Sequence, residues 1–176
     1  MRKLFLLALM TFISSLAFAQ SGKLGIGVNI GYGAASDLKK PSIGIKANYD
    51  ITKLLTIAPS FNYYFQKKES YDNIEAKLKV WDLNCDVHFN LLHKENFRLY
   101  PLAGISYLHA KATASTSIQD YGDFEGSASD GKVGANLGVG AQFKIASHFV
   151  IAPEVKYQII SDLNQLVPSV AVMYKF

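Results

Sequence analysis

Apolar and polar residues alternate with a period of two along most of the chain. In the segment from Leu24 to Gly33, Ile26, Val28 and Ile30 fall on one face, and small or polar residues fall on the other. This is the period of a β-strand, whose successive side chains point to opposite faces of a sheet. The alternation recurs in KLGIGVNIGYG, SIGIKANYDI, LLTIAPSFNYYFQ, WDLNCDVHFNL, NFRLYPLAGISYLH, KVGANLGVGAQFKI, FVIAPEVKYQI and SVAVMYKF. The pattern therefore predicts eight strands and an all-β protein.

The second face of these strands carries charged residues among its small ones. They are Lys46, Asp82, Asp86, Arg98, Glu154 and Lys156, and Tyr64, His88, Tyr100, Gln142 and Lys144 share the face. We interpret the apolar face as directed to lipid and the charged face as a polar network in a lumen. An open sheet edge in hydrocarbon would leave unpaired backbone groups, so the sheet is expected to close into an antiparallel transmembrane β-barrel. Opposite charges in such a confined space are expected to pair.

The first residues have the features of a secretory signal peptide. Arg2 and Lys3 precede a run of apolar residues that ends in Ala17-Phe18-Ala19, a small-x-small cleavage pattern. The alternative, a membrane anchor, needs about 20 apolar residues, more than this run contains. The sequence thus predicts a cleaved signal peptide over residues 1–19 and one barrel domain over residues 20–176.

Charge and cysteine content narrow the classes of function. Removal of Arg2 and Lys3 lowers the formal net charge from +4 to +2, and no basic cluster is present, so we expect no nucleic-acid partner. The single Cys85 cannot form an internal disulfide after export. The fold must therefore be held by other interactions.

The links between the predicted strands alternate in length. Longer links are AASDLKKP, KKESYDNIEA, ATASTSIQDYGDFEGSASDG and SDLNQL, and shorter ones are TK, HKEN and AS. Bacterial barrels have short periplasmic turns and longer surface loops, so we expect the longer links outside the cell. Aromatic residues of the apolar face fall near strand ends and predict two interfacial girdles. The outer one is Tyr32, Phe65, Trp81, Tyr107 and Tyr157, and the periplasmic one is Tyr49, Phe89, Phe97, Phe149 and Phe176.

Three strands that follow a short turn carry proline at one equivalent position. These residues are Pro59, Pro101 and Pro153. Proline lacks the N–H that a ladder bond needs, so each is predicted to mark a bulge or a locally unpaired spot.

With these features the mature chain resembles the small eight-stranded outer-membrane barrels of the OmpA/OmpX type, also described as outer-membrane β-barrel domain or porin-family proteins. In that family the last strand ends in an aromatic residue after alternating hydrophobic ones, and the barrel assembly machinery of the outer membrane recognises it. Val170, Val172, Tyr174 and Phe176 match this assembly signal. The resemblance implies a bacterial outer-membrane location, with outer-membrane lipids, lipopolysaccharide and the assembly machinery as partners.

The resemblance does not imply one activity, because the family includes adhesins, anchors, small pores and a few enzymes. Family enzymes that deacylate lipid A use a His with a Ser two residues on, and His88, His109 and His148 lack that Ser. We expect no catalytic, cofactor-binding or metal-binding residues and a non-catalytic structural or surface-interaction protein. A narrow porin-like channel is the alternative, since Gly25, Gly27, Gly31, Gly134, Gly138 and Gly140 would thin the lumen wall. A lipid-modifying enzyme is a further alternative.

The longest link, Thr113 to Gly131, is the candidate contact loop for an extracellular ligand. Its candidate residues are Asp120, Tyr121, Asp123, Phe124 and Glu125, within a Ser- and Gly-rich segment. Long loops carry function more often than scaffolds do. Acids this close could hold Ca²⁺ or meet a basic partner, although their spacing is not that of an EF-hand. A solvated loop without a ligand is the alternative.

Overall fold

The computed structural model describes residues 24–34, 39–65, 69–71, 74–118, 122–161 and 163–176. These residues form ten β-strands: β1 (Leu24–Ala34), β2 (Lys39–Asp50), β3 (Leu55–Tyr64), β4 (Glu69–Tyr71), β5 (Ile74–Phe89), β6 (Leu92–His93), β7 (Phe97–Ile118), β8 (Gly122–Lys144), β9 (Phe149–Ile160) and β10 (Gln165–Lys175). The predicted signal peptide lies outside the described residues and remains a prediction. No helix in the described ranges is long and apolar enough to cross a membrane.

Eight of these strands form a closed antiparallel barrel. The order around the ring is β5-β3-β2-β1-β10-β9-β8-β7, and pairing of β5 with β7 closes it. The short strands β4 and β6 pair with β5 and β7, respectively. Every strand pair is antiparallel, so the predicted fold class is confirmed.

The outward and inward faces of the barrel carry apolar and polar residues, respectively, as the alternation in the sequence predicts. Val28, Ile45 and Ile105 point outward and are 50%, 63% and 66% exposed, whereas Asn29, Lys46 and Ser106 point into the lumen and are buried. The small and polar inner residues allow eight strands to close around a narrow core, because a barrel of this size has room only for side chains. The apolar residues are thus left outside, as membrane insertion requires.

Short turns and both described ends of the barrel lie at one end of the ring. The turn between β2 and β3 is fixed by Thr52, whose Oγ1 accepts hydrogen bonds from the backbone N–H groups of Leu54 and Leu55 at 3.2 and 3.0 Å. Phe176 N donates to Leu24 O at 3.0 Å, which ties the last residue to the first strand. The longer links therefore all leave the opposite end.

The prediction of a long irregular loop between Thr113 and Gly131 is wrong. Strand β7 continues to Ile118 and β8 begins at Gly122, with Thr113 paired to Ser127. The hydrophobic pattern missed these strands because large apolar residues are few in this segment and do not alternate with polar ones. Thr residues with high β-propensity and continued pairing from the barrel extend the ladder instead.

Each of the three prolines lies where pairing with one neighbouring strand is interrupted. Pairs are missing between β2 and β3 at Pro59 and between β8 and β9 at Pro153, with no change of register. At Pro101 the register changes, because three residues of one strand face two of the other between the flanking pairs His88–Leu102 and Leu92–Leu99. This is a β-bulge, so the prediction from proline is confirmed.

The topology gives a direct test of orientation. If the end opposite the chain termini faces outward, an epitope inserted at Gly126 is expected to be labelled by antibody on intact cells. The same epitope at Ala146, in the turn between β8 and β9, is expected to be labelled only after permeabilisation. Labelling of intact cells at Ala146 but not at Gly126 would contradict the orientation.

Candidate functional site: the filled lumen and the protruding sheet

A buried ion pair crosses the middle of the lumen. Lys46 of β2 forms a salt bridge with Glu154 of β9, and both residues are 5% exposed. Tyr100 donates its hydroxyl hydrogen to Glu154 Oε1 at 2.7 Å, and His88 Nε2 lies 3.7 Å from the same oxygen. The His88 ring stacks on Tyr100 with centroids 4.2 Å apart. Side chains from four strands thus fill this level of the lumen.

A second group surrounds Asp86. Lys156 Nζ lies 3.3 Å from Asp86 Oδ2, and Asn136 Nδ2 donates to Asp86 Oδ1 at 2.7 Å. Asn136 also donates to Asn84 Oδ1 at 3.0 Å, and Gln158 donates to that oxygen at 2.8 Å. Amide side chains therefore connect this ion pair to the next level of the lumen.

The third group centres on Asp82, which is fully buried. Its carboxylate accepts hydrogen bonds from Asn62 at 2.8 Å, Tyr64 at 2.8 Å and Asn84 at 2.7 Å. No salt bridge joins Asp82 to a cation in the described part of the chain. Three convergent donors offset the cost of burying the charge, since a carboxylate without them would be strongly disfavoured.

The fourth group closes the lumen at the turn end. Asp50 Oδ2 accepts hydrogen bonds from the Arg98 guanidinium at 2.7 Å and from Lys175 Nζ at 3.3 Å. The Thr56 hydroxyl donates to Asp50 Oδ1 at 2.7 Å. The six charged residues singled out from the sequence thus fall into four groups, and hydrogen bonds of Asn84 and Asn136 connect the groups around Asp82 and Asp86. Asp50 was missed as a site residue, because only the register shows that three strand ends meet there.

Inward-facing glycines do not leave open space beside these groups. A Cβ on Gly140 would lie 2.6 Å from Tyr100 Cε2 and 2.7 Å from Glu154 Cγ. A Cβ on Gly27 would lie 2.8 Å from Met173 Cγ. These glycines make room for large side chains of neighbouring strands, which then occupy the lumen.

Beyond the barrel, four strands form what we call the protruding sheet: β4, residues 74–79 of β5, residues 111–118 of β7 and residues 122–133 of β8. Pairing of β8 with β9 begins only at Gly134–Ile160. The β7–β8 hairpin therefore continues for twelve residues, roughly 40 Å of strand, past that point. Over residues 122–133, β8 pairs only with β7 among the described strands, so one long sheet edge is open.

Part of the candidate contact segment lies in this sheet. Asp123, Phe124 and Glu125 belong to β8, and their backbones pair with residues 115–117 of β7. Asp120 and Tyr121 lie outside the described residues. The structure thus places the described part of the segment in a hairpin rather than in a loop.

The last strand presents the predicted assembly signal to the outside of the barrel. Val170, Val172 and Tyr174 of β10 are outward and exposed. The Tyr174 and Phe176 rings meet edge to face at 5.1 Å, and Phe149 meets Tyr174 in the same way at 5.5 Å. These rings form an aromatic cluster at the turn end of the barrel.

A family comparison agrees with this architecture. The family model described as outer membrane protein beta-barrel domain matches residues 5–176. The chain belongs to this family. It is accordingly a protein of the bacterial outer membrane and spans it as a β-barrel. None of the curated proteins matches the chain significantly.

Solved structures of the same fold come from several bacteria. Ail, the attachment invasion locus protein of Yersinia pestis, is 21% identical with a TM-score of 0.59, covering 89% of this chain and 100% of Ail. Neisserial surface protein A is 15% identical with a TM-score of 0.59, covering 87% and 96% of the two chains. A major outer membrane protein of Thermus thermophilus is 10% identical with a TM-score of 0.66, covering 88% and 98%. At these identities the likeness concerns the fold.

The family assignment leads to a prediction for Phe176. If the terminal aromatic residue is read during assembly, Phe176→Ala should reduce the amount of folded protein in outer-membrane fractions while synthesis is unchanged. Phe149→Ala, which removes another ring from the same cluster, serves as the control and should leave assembly near the parent level. Equal outer-membrane amounts of Phe176→Ala and the parent would contradict this role.

Proposed function

We propose that this protein is a non-catalytic protein of the cell surface. Its filled barrel serves as a rigid membrane anchor, and its protruding sheet contacts an extracellular partner. The observation that carries the proposal is the open edge of β8 over residues 122–133.

An open strand edge offers a row of backbone donors and acceptors. In an antiparallel strand paired on one side, alternate residues direct their N–H and C=O groups to the other side. Residues 126–131 of β8 are exposed, and Gly126, Ala128 and Gly131 have little or no side chain to obstruct a second backbone. This chemistry suits an extended polypeptide segment that adds to the sheet as another strand.

The comparisons support an extracellular role in general terms. Ail of Yersinia pestis has also been solved in complex with the heparin analogue sucrose octasulfate; that chain is 22% identical, with a TM-score of 0.59, covering 88% of this chain and 97% of Ail. A barrel of this fold therefore can hold an extracellular ligand. We propose the same class of role here, with the ligand bound by the protruding sheet.

The lumen favours an anchor over a narrow channel or an enzyme. The glycines that would thin the wall lie against large side chains, such as Gly140 against Tyr100. His88 is fully buried between Tyr100 and Glu154, so a substrate could not reach its ring without unpacking that group. We further propose that outer-membrane lipids, lipopolysaccharide and the assembly machinery are the membrane partners.

The test removes the tip of the hairpin and keeps the barrel. Residues Ala112 to Ala128 are replaced by Asn-Gly, a two-residue turn that the flanking pair Lys111–Ser129 can accept. Parent and truncated proteins in nanodiscs are panned against a phage library of extended peptides. We expect peptides to be enriched on the parent and lost on the truncated protein, because most of the open edge is gone.

Two measurements make the outcome decisive. Migration on gels with and without boiling reports whether the truncated barrel is folded, and planar-bilayer recording reports conduction. Equal peptide enrichment on a folded truncated protein would contradict the role of the sheet. Steady single-channel currents that Glu154→Ala alters would favour the channel instead.

A further inference from the structure

Two lysines face each other on the outside of the barrel where the protruding sheet begins. Lys79 of β5 is directly paired with Lys111 of β7, and both side chains are exposed. They share the outward face with the next pair toward the barrel, Trp81 and His109. Like charges directly opposite each other destabilise a sheet, so an uncompensated pair at this position requires an explanation.

No acid with a described side chain forms an ion pair with these lysines. Neither Lys79 nor Lys111 takes part in a salt bridge within the described ranges. Asp130 is close in the ladder, but its residue lies on the inner face, where its carboxylate is 3.8 Å from Lys132. The outward residue that pairs with Lys111 on β8 is Ser129, which is uncharged. Neither lysine is therefore paired directly with an acid across the ladder.

The level of the pair is set by an aromatic cluster below it. The Trp81 ring stacks on His109 with centroids 5.0 Å apart, and Tyr107 and Phe61 lie 5.8 and 5.9 Å from Trp81. Tryptophan and tyrosine prefer the boundary between hydrocarbon and headgroups. Nearer the turn end, the outward residues of both strands are apolar, as at Leu83 and Ile105.

Strand geometry places the lysines in the headgroup layer. Phe89 belongs to the predicted periplasmic girdle, and Trp81 lies eight residues away from it in β5, or about 26 Å along the strand. A strand tilt of about 40° reduces this distance to about 20 Å along the membrane normal. Trp81 thus lies near one edge of an apolar band about 25 Å tall. Lys79 lies two residues farther along β5, about 7 Å of strand from Trp81. This position is at the level of the lipid phosphates.

We infer that Lys79 and Lys111 together bind the phosphate group of a lipid in the outer leaflet, above the stacked Trp81–His109 pair. Two ammonium groups converge on one anion, and that anion relieves the repulsion between them. The lipid phosphate supplies a negative charge at the level where both lysines already lie. The site is separate from the open edge of β8, because the Asn-Gly truncation leaves both lysines in place.

The single tryptophan of the chain is an internal reporter for this site. The full protein is placed in phosphatidylcholine nanodiscs that contain increasing fractions of bisphosphorylated lipid A, and Trp81 fluorescence is followed. We expect a saturable change for the parent. For Lys79→Gln/Lys111→Gln the half-saturating fraction should rise about 25-fold, since each lysine near a charged membrane surface contributes about 5-fold.

The control carries the same change of charge at the other end of the barrel. Lys53→Gln/Lys94→Gln, in the short turns, should respond like the parent. Phosphatidylglycerol should also saturate the signal, whereas dephosphorylated lipid A should not. An unchanged half-saturating fraction in the Lys79/Lys111 variant, or equal response to dephosphorylated lipid A, would overturn the inference. So would an equal response to inorganic phosphate in pure phosphatidylcholine nanodiscs, because the site would then not be a lipid site.

Discussion

Lys46→Met is expected to lower the free energy of unfolding by about 3 to 5 kcal/mol, the usual cost of breaking a buried ion pair from one side. The Glu154 carboxylate, which belongs to a residue only 5% exposed, would keep the Tyr100 hydroxyl as its hydrogen-bond donor and the His88 ring nearby, but would lose its cation. Urea unfolding of the refolded protein in lipid vesicles measures the change.

The double variant Lys46→Met/Glu154→Gln separates charge from packing. It should recover most of the lost stability, because no uncompensated charge is buried and the Gln side chain can still accept from Tyr100. Lys53→Met, at an exposed turn position, should change stability by less than about 0.5 kcal/mol. A double variant as unstable as the single one would show that lysine packing, not charge pairing, holds this level of the lumen.

The second large effect is expected at the pairing of the first strand with the last, β1 with β10, which we call the seam. Gly27 is paired with Met173, and a Cβ on Gly27 would lie 2.1 Å from Val172 O and 2.6 Å from Met173 Cα. Because these are backbone atoms, rotation of a side chain cannot relieve the clash. Gly27→Ala should therefore force β1 and β10 apart and lower the free energy of unfolding, measured in urea, by about 1 to 3 kcal/mol.

Gly25 provides a matched control on the same strand and the same face. Its added Cβ would meet only side-chain atoms, Lys175 Cγ at 3.5 Å and Met173 Cε at 3.6 Å, which are ordinary contact distances. Gly25→Ala should be neutral or slightly stabilising, since alanine restricts the unfolded chain more than glycine. Equal losses for the two variants would mean that the effect comes from strand flexibility rather than from the seam.

The parts of the fold that membrane insertion constrains could be predicted from the sequence. Lipid requires an apolar outer face and closure of the sheet, so the alternation around Val28 and Ile105 predicts both the strands and the side that each residue takes. Proline also has a local signature, because Pro59, Pro101 and Pro153 lack an N–H wherever the chain places them. These features depend on short-range pattern and hence are visible in the sequence.

Contacts that depend on strand register, and strands without alternating apolar residues, could not be predicted in the same way. The Thr113–Ser127 region has few large apolar residues, so its paired strands have no hydrophobic period. Asp50 meets Arg98 and Lys175 only because three distant strand ends coincide. The Lys79–Lys111 pair likewise appears only when β5 and β7 are aligned.

The pairing of β1 with β10 has a consequence for the order of folding. Strands β7 and β8 are neighbours in the chain, so their ladder can grow from the short connection between Ile118 and Gly122. The seam instead joins Gly25 to Lys175, at nearly opposite ends of the barrel sequence, and its loop-closure entropy is among the largest in the molecule. The seam should therefore form last, and a barrel arrested before that step would carry two unpaired edges, those of β1 and β10.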